Sequence, residues 1–86
     1  SMSYHVTIVP SAVKERQTLD ITTRNRIDDV LKKLTEIPRP PGVQKLSGRK
    51  DDWRIRVGTY RILYEIDDDN QLITIWRIAH RRQAYR

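Results

Sequence analysis

The chain has 86 residues, with 17 Lys and Arg against 11 Asp and Glu, a net charge of +6 and no cysteine. Disulfide and thiolate chemistry are therefore excluded, and no apolar run approaches the roughly 20 residues needed to cross a bilayer. One small basic domain, with Ser1 read as a remnant ahead of Met2, attracts nucleic acid or an acidic protein; without a secretory leader, it is expected to work in the cytoplasm.

Tyr4 to Val9 alternates in the manner of a first strand, which Pro10-Ser11 should stop. Ser11 is placed to cap a short helix over Ala12 to Leu19. Residues 24–36 form a clearer helix, because Ile27, Val30, Leu31, Leu34 and Ile37 recur along one stripe. Pro38, Pro40, Pro41 and Gly42 end it. Val43 to Asp52 reads as a polar loop. Three strands follow, over Asp52–Val57, Tyr60–Ile66 and Gln71–Ile78, with Gly58-Thr59 and the Asp67–Asn70 cluster as turns. Residues 79–86 read as a final helical turn or a tail.

The expected fold is α+β, in the order β-α-α-β-β-β. Two helices would cover one face of a small, mostly antiparallel four-stranded sheet. Alternation then puts Trp53, Ile55 and Val57 against the helices. Arg54, Arg56 and Arg61 fall on the other face, expected to stay open to solvent. Guanidinium groups stay charged and suit forked recognition of phosphate. Lys45, Arg49 and Lys50 are placed to position RNA backbone, and Arg82 adds to the basic C-terminus. Arg77 would either line the same face or pair with Glu65. Trp53 and Trp76 read as core aromatics. Asp67-Asp68-Asp69 reads as a turn, so no metal or other cofactor is expected.

These blocks resemble a known family. The helix ending at Pro38, Lys45-Leu46-Ser47-Gly48, Trp53-Arg54-Ile55-Arg56-Val57-Gly58, Tyr60-Arg61-Ile62-Leu63-Tyr64 and the His80-Arg81-Arg82 ending are similar to the RelE toxins of bacterial toxin–antitoxin systems. The resemblance implies a ribosome-dependent endoribonuclease that cuts messenger RNA in the ribosomal A site. It also implies an acidic, RelB-like antitoxin as partner, with operator DNA bound only by the toxin–antitoxin complex. The related ParE branch shares the architecture and acts on DNA gyrase. That alternative stays open, as does a degenerate member that only binds its antitoxin. Relatives carry lysine where Arg54 and Arg56 stand.

By position, the resemblance assigns catalytic roles to Arg54, Arg56, Arg61, Arg81 and Tyr85. Attack by a 2′-hydroxyl on the adjacent phosphate needs a base, cations for the developing charge and an acid for the leaving 5′-oxygen. The nucleophile is internal, so metal is not required. Arginine does not deprotonate in proteins and can only clamp and stabilise. Tyr85 or His80 is left for proton transfer.

Overall fold

The computed structural model describes residues 3–48 and 51–83. Its elements are β1 (His5–Ile8), α1 (Pro10–Gln17), α2 (Ile21–Leu34), β2 (Gln44–Lys45), β3 (Asp52–Val57), β4 (Tyr60–Asp67) and β5 (Leu72–His80). They build one sheet in the order β1-β5-β4-β3-β2. The last three long strands form the expected antiparallel meander. β1 returns parallel to β5 at the edge, as a strand followed by a helical crossover does.

Several boundaries depart from the sequence reading: β5 runs on to His80, so Ala79 and His80 are strand and not tail, and α1 ends at Gln17. Pro10 starts α1 instead of only ending β1: it sits in the first turn after the extended N-cap Val9. Proline fits there because its missing N–H would have had no helical partner and its φ is already helical. α2 begins three residues early, at Ile21, because Asp20 caps it by accepting from the Thr23 N–H at 3.2 Å. The expected polar loop contains a fifth strand. β2 is only two residues long and pairs Gln44 with Arg54 and Lys45 with Trp53.

The main core lies between the helices and one sheet face. Ile27, Leu31 and Leu34 from α2 and Ala12 from α1 meet Val57, Ile62, Tyr64, Ile66, Ile73, Ile75 and Ile78. Partly buried Trp53 and Ile55 join them, as alternation required. Burying such side chains is worth about 1.5–3 kcal/mol each before the entropy of ordering them is subtracted. Tyr64 is fully buried, and its hydroxyl donates to the Pro38 carbonyl at 2.8 Å. Burial pushes its phenol pKa up.

A bulge in β5 decides what reaches the other face. Leu63 pairs with Arg77 but Tyr64 pairs with Ile75, so Trp76 is an extra residue. Unbroken alternation after Ile73 and Ile75 would turn Arg77 and Ala79 toward the helices. The bulge turns Ile78 inward instead. Trp76 packs with Leu63, Ala79 and Leu46 in a second, smaller cluster on the far side. Trp76 is thus a packed aromatic, but outside the helix-side core.

Candidate functional site

The face away from the helices is partly closed, which corrects the expectation that it stays open to solvent. Leu63 is fully buried there, and Arg54 is only 5% exposed. The physical reason is the second cluster. Leu63 and Ala79 are apolar and recruit Leu46 and Trp76 as cover. Arg54 beside them donates from Nη2 to the Gln44 side-chain oxygen, which β2 holds directly opposite. A buried guanidinium needs such a partner.

Three further arginines stand by the β3–β4 turn. Arg56 and Arg61 are direct cross-strand partners, Arg56 exposed and Arg61 half-buried. Opposite residues on antiparallel strands hold their Cβ atoms about 4.5–5.5 Å apart. Gly58 has φ +60, and Thr59 lies outside the left-handed region, the sign pattern of a type II′ hairpin turn. Arg81 follows β5 directly, and its N–H donates to the Thr59 carbonyl at 2.8 Å. The chain therefore pins the exposed Arg81 to the turn that joins Arg56 to Arg61. The ladder and that one backbone bond bring the backbone of Arg56, Arg61 and Arg81 to the same turn.

His80 takes a different side. It pairs with Tyr60, whose partners belong to the helix-side core. The two rings meet edge-on, 5.6 Å between centroids. His80 Nδ1 accepts from the Arg82 N–H at 3.3 Å. Lys45 shares its face with Trp53, also away from the arginines. Arg77 stands on the arginine side, opposite Leu63, and does not pair with Glu65. Its Nη2 donates to the Gln83 carbonyl at 2.7 Å and its Nη1 lies 3.7 Å from Glu15 Oε2, while Glu65 stands between Asp52 and Thr74. Arg82 is exposed. Arg49, Lys50 and Tyr85 lie outside the described residues. Among the described residues, no group of His, Cys, Asp and Glu has the arrangement of a metal site, and no helix is long and apolar enough to cross a membrane.

Residues 6–85 match the family model described as the ParE toxin of the type II toxin–antitoxin system parDE. The chain belongs to the RelE/ParE toxins of type II toxin–antitoxin systems. RelE in a crystal structure of the archaeal RelE–RelB complex from Pyrococcus horikoshii is 31% identical, with a TM-score of 0.85 over 96% of this chain and 100% of that one. The intact Escherichia coli RelBE complex gives 25% identity and a TM-score of 0.81 over 91% and 96%. A local stretch of 31 residues, 36% of either chain, is 52% identical to the toxin RelG of Mycobacterium tuberculosis.

In this RelE/ParE toxin three residues outside the sequence motifs support the same framework. Arg26 of α2 lies so close to Gly58 that a Cβ there would sit 3.2 Å from its Nη1. A fourth guanidinium thus leans on the same hairpin turn. Glu15 of α1 accepts the Ile78 N–H at 2.9 Å, in the stretch of β5 beyond the reach of β1. Gln44 is the partner of Arg54. Arg26 and Glu15 look in sequence like solvated faces of amphipathic helices, and Gln44 like loop. Only tertiary packing assigns them a task.

A second network fixes the opposite corner. Arg39 makes a forked contact with Asp68 at 3.2 and 2.8 Å, and the Tyr4 hydroxyl donates to the same carboxylate at 2.6 Å. These bonds hold the Asp68 carboxyl below its ordinary pKa. The Arg39 guanidinium also lies 4.9 Å from the Trp53 ring centre. The Asp67–Asn70 turn is thereby tied to the segment after α2.

Proposed function

We propose that this toxin is a ribosome-dependent endoribonuclease that cuts messenger RNA by internal transesterification. One observation carries the reading: Arg56 and Arg61 stand opposite each other with Arg81 bonded to their turn. Like charges brought together at an exposed hairpin end favour an anionic ligand, and a phosphodiester fits. In the reaction, the ribose 2′-oxygen bonds to the adjacent phosphorus and its proton passes to a base. The bond from phosphorus to the 5′-oxygen breaks, and that oxygen takes a proton from an acid. A 2′,3′-cyclic phosphate and a 5′-hydroxyl result. Arg61 and Arg81 clamp the phosphate, Arg56 stabilises the added charge, and buried Arg54 supplies field from beneath. The engagement of His80 with Tyr60 and Arg82 favours Tyr85 for proton transfer.

Arginines cannot exchange protons, so the ribosome is given the task of orienting the 2′-hydroxyl in the A site. The partner that silences the toxin is an acidic RelB-like antitoxin, a reading supported by the RelE–RelB complexes among the similar structures and by the net charge of +6. Operator DNA would be bound only by that pair, and the site of action is the cytoplasm, where messages are translated.

A ParE-type inhibitor of DNA gyrase is the second reading, favoured by the family model matched. Inducing the toxin in bacteria separates the two. The nuclease reading expects new 5′ ends on a translated transcript and none on an untranslated copy. Intact message with impaired plasmid supercoiling would select the gyrase reading. Equal cutting of both transcripts would remove the ribosome from the proposal.

A further inference from the structure

β1 stops pairing with β5 at Ile75, and the Val9 N–H adds one more bond to the Ile75 carbonyl at 3.0 Å. Beyond that point no strand among the described residues lies along the outer edge of β5. Glu15 of α1 takes that place. Its Oε1 accepts the Ile78 N–H at 2.9 Å, and its Oε2 lies 3.7 Å from Arg77 Nη1. The same guanidinium reaches past the end of the strand, where Nη2 donates to the Gln83 carbonyl at 2.7 Å. Arg77 therefore joins three pieces of chain: α1, β5 and the turn after β5.

That turn carries Arg81. Residues 81–83 are all exposed, so burial does not hold them in place. An exposed segment keeps its position only where its backbone is tied down. Here the Arg81 N–H donates to the Thr59 carbonyl and the Gln83 N–H to the His80 carbonyl, both at 2.8 Å. Two side chains complete the set: His80 Nδ1 on the Arg82 N–H at 3.3 Å, and Arg77 on the Gln83 carbonyl. The Arg77 bond is the shorter of these two and is charge-assisted, which makes it the stronger.

The surroundings of Arg77 set it apart from the arginines at the hairpin. A carboxylate and a carbonyl engage its two terminal nitrogens, and only 27% of the side chain is exposed. Glu15 opposes its charge. It has little left to offer a phosphate directly, and its contribution is geometric. Donors fixed in advance stabilise developing charge with no reorganisation at the moment of reaction.

We infer that Arg77, oriented by Glu15, is a positioning residue that fixes the turn after β5 and so presents Arg81 to the phosphate. The inference rests on the nuclease reading above and adds to it how the Arg81 clamp is set.

The test compares the parent with Arg77→Met, Arg77→Lys, Arg81→Ala and the Arg77→Met/Arg81→Ala pair, each in the full chain. Cutting of a programmed message is measured on ribosomes, and amide hydrogen exchange at Gln83 on the free toxin. Methionine keeps the length of the side chain and removes every donor. It should lower the rate at saturating toxin about ten- to a hundredfold, the scale of a small misplacement, with little change in the half-saturating concentration. Lysine keeps a charged donor and should restore part of the rate. In the Arg81→Ala background Arg77→Met should cost nothing further, because it acts through Arg81. Exchange at Gln83 should quicken about three- to tenfold in Arg77→Met, as expected for the loss of one hydrogen bond. Glu15→Gln, which keeps an acceptor for Ile78 but removes the charge facing Arg77, should reproduce part of the rate loss even if Arg77→Met fails to fold. Losses that multiply in the double variant would overturn the inference, because Arg77 would then touch the message itself. Unchanged cutting in Arg77→Met, or a slower rate with unchanged exchange, would overturn it too. A parent that cuts no message overturns the nuclease reading instead, and the exchange at Gln83 still decides whether Arg77 holds the turn.

Discussion

Arg56 and Arg61 face each other across the β3–β4 ladder, two like charges in direct register. Such a pair costs about 0.2–1 kcal/mol. Replacing Arg56 by glutamine should relieve that repulsion without opening a cavity, since the side chain is exposed. The melting midpoint is expected to rise by about 1–8 °C. Message cutting is expected to fall about ten- to a hundredfold with the loss of one charge stabiliser. Thermal unfolding measured beside cleavage on programmed ribosomes checks both. A variant that melts lower and cuts normally would mean the pair is structural.

The turn between these arginines depends on Gly58. At φ +60 a side chain is strained by about 1–2 kcal/mol, and a Cβ would press on Arg26 Nη1 at 3.2 Å. Gly58→Ala is expected to lose about that much stability, and Gly58→Asn less, because asparagine tolerates the left-handed region. Urea denaturation of both gives the ranking. Equal losses would show that displacement of Arg26, rather than backbone strain, sets the cost.

Glu15 closes the β5 edge where β1 has ended, accepting the Ile78 N–H. Glu15→Ala leaves that nearly buried amide without its acceptor, at about 1–3 kcal/mol. Glu15→Gln keeps an acceptor oxygen and should cost less. Hydrogen exchange at the Ile78 amide is the direct readout. It should speed up markedly in the alanine variant and little in the glutamine variant. Unchanged exchange in Glu15→Ala would show that another acceptor replaces it.

The arginine hairpin was legible because Trp53 to Val57 alternates cleanly and Gly58 marks the turn. The α2 stripe was legible for the same reason, a period carried over several turns. β2 was not: two residues are too few for any period, and their pairing with Trp53 and Arg54 is a long-range event. The bulge had a trace in the sequence, since Ile73, Ile75 and Ile78 are spaced by two and then by three. That change of step is what moves Arg77 and Ala79 to the arginine side and His80 to the helix side. A strand ended at Ile78 leaves His80 in a tail, where neither the bulge nor its pairing with Tyr60 can be read. The burial of Arg54 was hidden as well, because it depends on Gln44 and Leu46 arriving from the segment that looked like loop.

Acid should dismantle the carboxylate ties in a defined window. Asp28 accepts from Arg16 Nε at 2.8 Å and Nη2 at 2.7 Å, joining α2 to α1. Those bonds, ahead of opposing burial, hold its pKa below the ordinary 3.8. Asp68, bonded by Arg39 and Tyr4, and Asp20, bonded by Thr23, are lowered likewise. A carboxylate depressed in the folded state releases its proton more readily there than in the unfolded chain. Its stabilisation is complete above the unfolded value near pH 4 and is lost as pH falls through the lower folded value. Stability should therefore be nearly flat from about pH 7 to 5 as far as these groups are concerned, and decline below about pH 4. Asp28→Asn should cost about 0.5–1 kcal/mol at neutral pH, a modest figure because both partners are near one-third exposed. The gap between variant and parent should narrow as pH falls below about 4, as the parent's carboxyl takes up its proton. Urea unfolding of both proteins across that range tests the linkage: curves that stay parallel from pH 5 to pH 2 would show that the Arg16–Asp28 bridge contributes nothing that protonation can remove.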